Sequence, residues 1–190
     1  MHSAQFTALL DANVLYPFLV RDLLLSLAEE NLYRPKWSKH IEEEWIRNLL
    51  TDRPDLNPEK IENIAITMNL AFEDAMVSDY ETLITSLSLP DPDDRHVLAA
   101  AIVSRSDVIV TMNLRDFDVM ELGKYNMDAV HPDTFIVNLI DLDNEKAIKA
   151  IQKMVQRRKN PPVGISDLIQ RIENNKLSKA AKRFSDIMHP

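Results

Sequence analysis

Hydrophobic and polar residues follow two different periods along the first two thirds of the chain. Short apolar runs predict buried β-strands, and apolar residues that recur every three or four positions predict amphipathic helices. The predicted strands are 6–10, 32–37 and 107–111, and the predicted helices are 17–31, 38–49, 57–72 and 95–104. Because strands that alternate with helices pair in parallel through right-handed crossovers, the pattern predicts an α/β fold with a central parallel sheet.

From Pro132 onward the pattern indicates helices only. They are predicted at 134–142, 145–158, 166–174 and 178–188. Apolar stretches throughout the chain are interrupted by charges before the roughly 20 residues that a membrane span requires. Met1–Gln5 lack the basic cluster and apolar core that begin an export signal. We therefore expect a cytoplasmic protein without a membrane segment.

Residue composition excludes several classes of site. Cysteine is absent from the 190 residues, which excludes disulfides, thiolate zinc sites and a cysteine nucleophile and favours a reducing compartment. The chain has only two glycines, Gly123 and Gly164, so it contains no glycine-rich phosphate-binding loop of the Walker or dinucleotide type. Nucleotide-cofactor enzymes of those designs are therefore excluded.

The net charge of −8 argues at first against a nucleic-acid partner, but the charge is unevenly divided. Residues 1–143 contain 11 basic and 26 acidic residues, a balance of −15, whereas residues 144–190 contain 11 basic and 4 acidic residues, a balance of +7. The basic segment is either the solvated face of a helical appendage or an arm that holds a polyanion.

Four carboxylates stand where predicted strands end or helices begin. Asp11 ends the first strand and Asp116 follows the last one, while Glu44 and Asp94 lie in the early turns or at the start of helices. Because ligands of parallel sheets bind beyond the carboxyl ends of the strands, we expect these four side chains to converge. Helix capping would explain any one of them alone, so the inference depends on the whole set.

Convergent carboxylates raise each other's pKa unless a cation lies between them. Oxygen ligands without cysteine or a helical histidine pair favour Mg²⁺ or Mn²⁺ over zinc. These ions support phosphodiester hydrolysis, because they activate a bound water and neutralise charge on the leaving oxygen. The set therefore predicts a metal-dependent phosphodiesterase.

Four sequence blocks together resemble the PIN-domain family, and within it the VapC-type ribonuclease toxins of type II toxin-antitoxin pairs. The blocks are LDANVL at 10–15, SKHIEEEWIRNLL at 38–50, DPDDRHVLAAA at 91–101 and VTMNLRDF at 110–117. The resemblance covers about residues 6–137 and implies a three-layer α/β/α sandwich that cuts single-stranded or looped RNA with Mg²⁺ or Mn²⁺. We therefore expect a PIN-like nuclease domain over residues 1–137 and a basic helical extension over residues 138–190.

The resemblance also implies a role for each matching position. The implied metal pocket is formed by Asp11, Glu44, Asp94 and Asp116, and its polar support by Asn13, Thr111 and Asn113. Asp11 and Asp94 would hold the main ion and Asp116 would complete its shell. Glu44 would position or deprotonate the attacking water. Neighbouring acids compete for two of these positions, namely Glu42, Glu43, Asp91 and Asp93.

An acidic pocket does not attract RNA, so basic side chains are expected to hold the RNA backbone. The candidates are Lys36, Lys39, Arg47, Lys149, Lys153, Arg157, Arg158 and Lys159. The resemblance further implies a small antitoxin partner that covers the crevice and a homodimer formed through helices away from it.

Other readings of the sequence stay open. The chain could be a catalytically inactive PIN-like module that binds RNA or a partner, or a phosphatase of the haloacid dehalogenase type, although Asn13 stands where that family usually has a second aspartate. His40 and His96 flank the candidate acids, and each either contacts phosphate or has a structural role. Trp45 falls on an apolar helix face and is expected in the core, whereas Trp37 could stack on bases.

Overall fold

The computed structural model describes residues 6–188, so Met1–Gln5, where no export signal is expected, lie outside the described residues, as do residues 189–190. The described chain divides into two compact units. The sheet unit contains Phe6–Tyr16 and Pro35–Val130, and the helical unit contains Pro17–Arg34 and residues 131–188.

The secondary structure follows the predicted alternation of strands and helices. In chain order the elements are β1 (Thr7–Leu10), α1 (Ala12–Leu15), α2 (Phe18–Glu29), β2 (Arg34–Ser38), α3 (Lys39–Asp52), α4 (Pro58–Ala71), β3 (Met76–Val77), α5 (Glu81–Ile84), α6 (Arg95–Val103), β4 (Val108–Val110), α7 (Val119–Gly123), β5 (Asp128–Val130), α8 (Pro132–Leu142), α9 (Asn144–Arg157), α10 (Ile165–Asn174) and α11 (Ser178–Met188). Short 3₁₀ helices cover Pro92–Asp94 and Leu114–Asp116.

The sheet has five strands in the order β3-β2-β1-β4-β5, and the pairs β2–β3, β1–β4 and β4–β5 are parallel. Leu10 of β1 lies opposite Val110 of β4, which lies opposite Val130 of β5. Leu9, Leu10 and Val110 are fully buried, as expected for central strands of a parallel sheet covered on both faces. The prediction of an α/β/α fold with a central parallel sheet and C-terminal helices is confirmed.

The strand register places polar residues of the sheet unit side by side at the carboxyl ends of the strands. Because β1 and β4 are parallel and in register, the residues that follow them, Asp11 and Thr111, leave the sheet side by side. This edge is formed by the carboxyl ends of the strands, where ligands of such sheets bind.

The helical unit contains α2 and the helices α8 to α11. Helix α9 buries an apolar stripe formed by Ala147, Ala150, Ile151 and Met154, and it packs on α2. The carboxylate of Asp133 accepts hydrogen bonds from the N–H groups of Lys179 (3.1 Å) and Ala180 (2.8 Å), which caps the start of α11. No helix within residues 6–188 is long and apolar enough to cross a membrane.

Several elements differ from the predicted ones. The predicted helix 17–31 begins at Phe18, because Pro17 has an extended backbone (ψ 117°) and precedes the helix, and a separate short helix, α1, occupies Ala12–Leu15. The pattern did not predict the two-residue strand β3 or the three-residue strand β5. The predicted domain limit between residues 137 and 138 falls inside α8 and stays a prediction.

The two tryptophans are both buried. Trp37 is fully buried, its Nε1 donates to Oδ1 of Asn69 (2.9 Å), and its ring makes an edge contact with Phe72. The expectation that Trp37 could stack on bases is therefore wrong, because the chain's own side chains surround the indole. The expectation that Trp45 lies in the core is confirmed.

Candidate functional site

Asp11 lies directly after β1 and is almost completely buried, with 3% of its surface exposed. It is the N-cap of α1, and its Oδ1 accepts from the backbone N–H of Ala12 (2.6 Å). The other carboxylate oxygen, Oδ2, accepts from Nδ2 of Asn13 (2.7 Å) and from the hydroxyl of Thr111 (2.7 Å). Three donors from two segments therefore fix this carboxylate in one orientation.

Two of the predicted supporting residues form a network around Asp11. The Asn13 amide donates to Oγ1 of Thr111 (3.0 Å), and its own carbonyl accepts from the N–H of Met112 (2.9 Å). Asn113 takes part through its backbone N–H, which donates to Oγ1 of Thr111 (3.0 Å). Asn13 thus ties the turn after β1 to the turn after β4.

Glu44 is half-buried on α3, a helix that Ser38 caps by accepting from the N–H of Ile41 (3.3 Å). Its competitor Glu42 is buried and already paired with Lys39 (2.7 Å) and Asn69 (2.8 Å). Glu42 therefore has a structural role.

Asp94 ends the 3₁₀ turn that enters α6 and is half-buried. Its competitor Asp91 caps that turn, because Oδ1 accepts from the N–H of Asp93 (2.9 Å). Asp116 ends the 3₁₀ turn after β4 and is also half-buried.

The pKa shifts show that these carboxylates share one neighbourhood. Burial raises the pKa of Asp11 to about 6, the Thr111 hydrogen bond opposes this rise, and the charge of Glu44 adds to it. The pKa of Asp94 is raised to about 7, first by burial and then by the charges of Asp11, Asp116, Asp91 and Glu44. Asp94 therefore lies within electrostatic reach of Asp11, Glu44 and Asp116, and Asp11 lies within reach of Glu44.

The donor set fits a hard divalent cation. Within residues 6–188, no three histidine or acidic side chains stand close enough to form a ready metal-binding group. However, the acids whose charges raise the pKa of Asp94 offer only oxygen ligands, and repulsion of this kind is relieved by a bound cation. Asp11, Asp94, Asp116 and Glu44 are the residues that would hold such an ion.

Two clefts adjoin Glu44. One has a volume of about 370 Å³ and is lined by His40, Glu43, Glu44, Arg47, Asn48, Asp93, Asp94 and His96. The other has a volume of about 300 Å³ and is lined by Ala12, Asn13, Tyr16, Glu44, Asn48, Thr51 and Asp52. Glu44 and Asn48 line both clefts, so each cleft offers space beside the Glu44 carboxylate.

The predicted RNA-binding side chains differ in whether they already have a hydrogen-bond or ion-pair partner within the protein. The side chains that already bind protein groups are those of Lys36 (the Asp74 carbonyl), Lys39 (Glu42), Lys153 (Glu30), Arg157 (Glu29) and Arg158 (Asp22). Within residues 6–188, the side chains of Arg47, Lys149 and Lys159 have no hydrogen-bond or ion-pair partner. RNA binding by all eight stays a prediction.

One contact in the site could not be derived from the sequence. Nε2 of His96 lies 3.3 Å from Oε2 of Glu44, although 52 positions separate the two residues. The sequence places His96 two residues after Asp94, near the start of a predicted helix. It does not predict that the His96 ring on α6 contacts Glu44 on α3.

Comparisons with known proteins agree with this geometry. A family profile described as "PIN domain" matches residues 7–115, and one described as "VapC50 C-terminal domain" matches residues 132–186. A relative from Mycobacterium tuberculosis (strain ATCC 25618 / H37Rv), named "Putative ribonuclease VapC50", is 39% identical over 89 residues, which are 47% of this chain and 53% of the relative. The match thus spans about half of the relative's length. No solved structure matches the chain.

Proposed function

Because the chain belongs to the PIN-domain family, we propose that it is a divalent-metal-dependent endoribonuclease that hydrolyses RNA phosphodiester bonds. The observation that supports the proposal is the electrostatic coupling among Asp11, Glu44, Asp94 and Asp116, in which the charges of the other three raise the pKa of Asp94. The first three lie inside the matched segment, and Asp116 follows its last residue.

Each acid has a distinct part in the proposed reaction. A bound Mg²⁺ or Mn²⁺ would supply activation of a water and neutralisation of the charge that develops on the phosphate oxygens. Asp11, which its three donors hold rigidly, and Asp94 would bind the ion, and Asp116 would complete its shell directly or through water. Glu44 would orient or deprotonate the water that attacks phosphorus. The bond from phosphorus to the 3′ oxygen would break and that oxygen would take up a proton, which gives a 5′-phosphate and a 3′-hydroxyl.

The acidic site requires basic groups nearby to hold an RNA strand. Arg47 is the best placed of the proposed contacts, because it lines the same cleft as Glu44 and Asp94 and has no ion-pair partner within residues 6–188. In the helical unit, Lys149 and Lys159 are the candidates whose side chains have no partner within residues 6–188. The paired candidates would have to leave their present protein partners before they could bind phosphate.

The relative's name supports a biological setting for this activity. We infer that the chain is the toxin of a type II toxin-antitoxin pair, that a cognate antitoxin protein covers its site, and that it acts as a cytoplasmic homodimer. The match of residues 132–186 to a named C-terminal domain supports the extension as a regular part of such proteins.

Cleavage of an RNA pool tests the proposed activity. Purified protein with Mn²⁺ should cut mixed RNA to 5′-phosphate ends, and Asp11→Asn and Glu44→Gln should each abolish cutting. The matched control is Glu62→Gln, which changes an exposed carboxylate on α4 that lines neither cleft and should retain activity. Cleavage that survives Asp11→Asn would remove the assignment, and RNA binding by the parent protein without any cleavage would support the inactive binding module instead.

A further inference from the structure

A chain of ring contacts leads from the core of the sheet unit to Glu44. Nδ1 of His40 lies 2.6 Å from the hydroxyl of Tyr80, the rings of His40 and His96 have centroids 5.5 Å apart, and Nε2 of His96 lies 3.3 Å from Oε2 of Glu44. Within residues 6–188, Glu44 has no other side-chain hydrogen-bond or ion-pair partner. His96 is therefore the one side chain within residues 6–188 that pairs with this carboxylate.

The surroundings of the His96 ring determine which nitrogen carries the proton. Nδ1 of His96 is buried and has no hydrogen-bond partner among the described residues. A proton there would leave a buried donor unsatisfied, whereas a proton on Nε2 can be donated to Glu44. The geometry therefore favours the tautomer in which the Nε2–H group faces Oε2 of the carboxylate.

We propose that His96 is a positioning residue for Glu44, an inference that rests on the proposed function of this site. The contact of Nε2 with Oε2, at 3.3 Å, holds that oxygen and leaves Oε1 of Glu44 available to a water or a cation. A side chain that orients a metal-site or water-activating carboxylate in this way typically contributes 10-fold to 100-fold to metal affinity or activity.

The other two rings support His96 from behind. Tyr80 is buried, and its hydroxyl accepts from the backbone N–H of His40 (3.5 Å), so its own proton is free to go to Nδ1 of His40. The edge contact between these two rings, with centroids 5.7 Å apart, fixes the plane of His40. His40 in turn limits the rotation of the His96 ring.

The test compares two amide substitutions that place a donor at different positions. In His96→Gln the side-chain amide lies at about the position of the imidazole Nε2. In His96→Asn the amide lies nearer the position of Nδ1 and does not reach Glu44. We expect His96→Asn to lower kcat by about 10-fold to 100-fold with KM changed less than about threefold, and His96→Gln to retain kcat within about threefold. Thermal melting and circular dichroism identify variants that have lost the fold.

Two further measurements do not depend on catalysis. In the absence of RNA, Mn²⁺ affinity measured by calorimetry should fall about tenfold in His96→Asn and stay close to the parent value in His96→Gln. The imidazole ¹⁵N shifts of His96 should report a proton on Nε2, and Glu44→Ala should change the Nε2 signal.

The outcomes separate this inference from the proposed function. Three results would each overturn the positioning role. The parent and both variants could have equal kcat and Mn²⁺ affinity, the two variants could lose both to the same extent, or the ¹⁵N shifts could place the proton on Nδ1. A parent protein that neither cuts RNA nor binds Mn²⁺ would contradict the proposed function, and the ¹⁵N shifts would still decide whether His96 holds Glu44.

Discussion

At the scale of single residues, the site depends on a carboxylate that the fold buries and then stabilises by hydrogen bonds. Asp11 would be costly to bury alone, but three donors surround its two oxygens. Thr111 is the central partner, because its hydroxyl donates to Asp11 and its oxygen accepts from Asn13 and from the backbone of Asn113. One buried hydroxyl therefore connects both turns at the edge of the sheet.

Thr111→Val should test that connection, because valine keeps the shape and removes the hydroxyl. The change leaves buried polar groups unsatisfied and should lower the free energy of unfolding by about 1–3 kcal/mol. It should also raise the pKa of Asp11 further above its value of about 6, because the Thr111 hydrogen bond now opposes that rise. Urea unfolding and a carboxyl-detected NMR titration measure the two effects.

The control for this substitution is Thr67→Val, which removes a hydroxyl on the exposed side of α4 that donates to the Asn63 carbonyl. It should change stability by less than about 0.5 kcal/mol. Equal losses in both variants would show that Thr111 makes no special contribution.

The crowded carboxylates predict a stability that depends on pH in the absence of divalent ions. The pKa of Asp94 is about 7 in the folded chain, against an ordinary value of 3.8. A group whose pKa is raised on folding contributes stability that is fully present below its unfolded pKa and is lost as pH rises through the folded pKa. The metal-free parent should therefore lose stability between about pH 4 and pH 8.

Asp94→Asn should remove this loss, because an amide does not titrate. In EDTA, its Tm relative to the parent should be clearly higher at pH 8 than at pH 5, whereas Asp93→Asn, at an exposed neighbouring position, should show no such trend. Mg²⁺ added at pH 8 should raise the Tm of the parent more than that of Asp94→Asn. A parent Tm that does not change with pH in EDTA would contradict the repulsion.

At the scale of elements, the site is built beside strands and helices whose hydrophobic pattern is clear, and such elements are what a sequence pattern predicts best. The runs at β1 and β4 are apolar because both faces of those strands are covered, so they and the polar residues after them could be recognised. Strands β3 and β5 have two and three residues, too few for any periodicity to appear. Their pairing is fixed by the sheet and not by local sequence.

The same distinction explains which site residues could be predicted. Asp11 and Asp94 follow from their place beside elements with clear patterns, and the choice between Glu42 and Glu44 follows helical spacing from Ser38. The contact of His96 with Glu44 depends on how α6 packs beside α3, and neither helix encodes that in its own pattern. Burial of Trp37 likewise depends on Asn69 and Phe72, which are more than 30 positions away.

Helix α3, which carries Glu44, should depend on its N-cap. Ser38 is fully buried, and its hydroxyl accepts from the N–H of Ile41, so Ser38→Ala should lower the free energy of unfolding by about 1 kcal/mol. Ser38→Thr keeps an acceptor at this position and should lose less. Chemical denaturation of the three proteins decides this, and equal stability of Ser38→Ala and the parent would exclude a capping contribution.

At the scale of the whole molecule, the division between an acidic body and a basic tail is partly compensated inside the helical unit. Lys153 of the tail pairs with Glu30, the C-cap of α2, and Arg157 and Arg158 pair with Glu29 and Asp22 on α2. The positive balance of residues 144–190 therefore overstates the charge that is free to meet a polyanion. Some bases of the tail therefore secure a helix, and binding of a polyanion by the others stays a prediction.

This difference between paired and unpaired bases predicts how salt affects RNA binding. In an Asp11→Asn background, which prevents cleavage, the slope of log K against log salt should fall by about 1 when Arg47 or Lys149 is changed to Ala, because each loses one phosphate contact. Arg157→Ala should alter the slope less and lower the stability of the protein instead, because its guanidinium is already paired with Glu29. A slope that drops equally for all three variants would mean that the ion pairs with α2 open when RNA binds. An unchanged slope for Arg47→Ala would show that Arg47 makes no contact with the RNA phosphates.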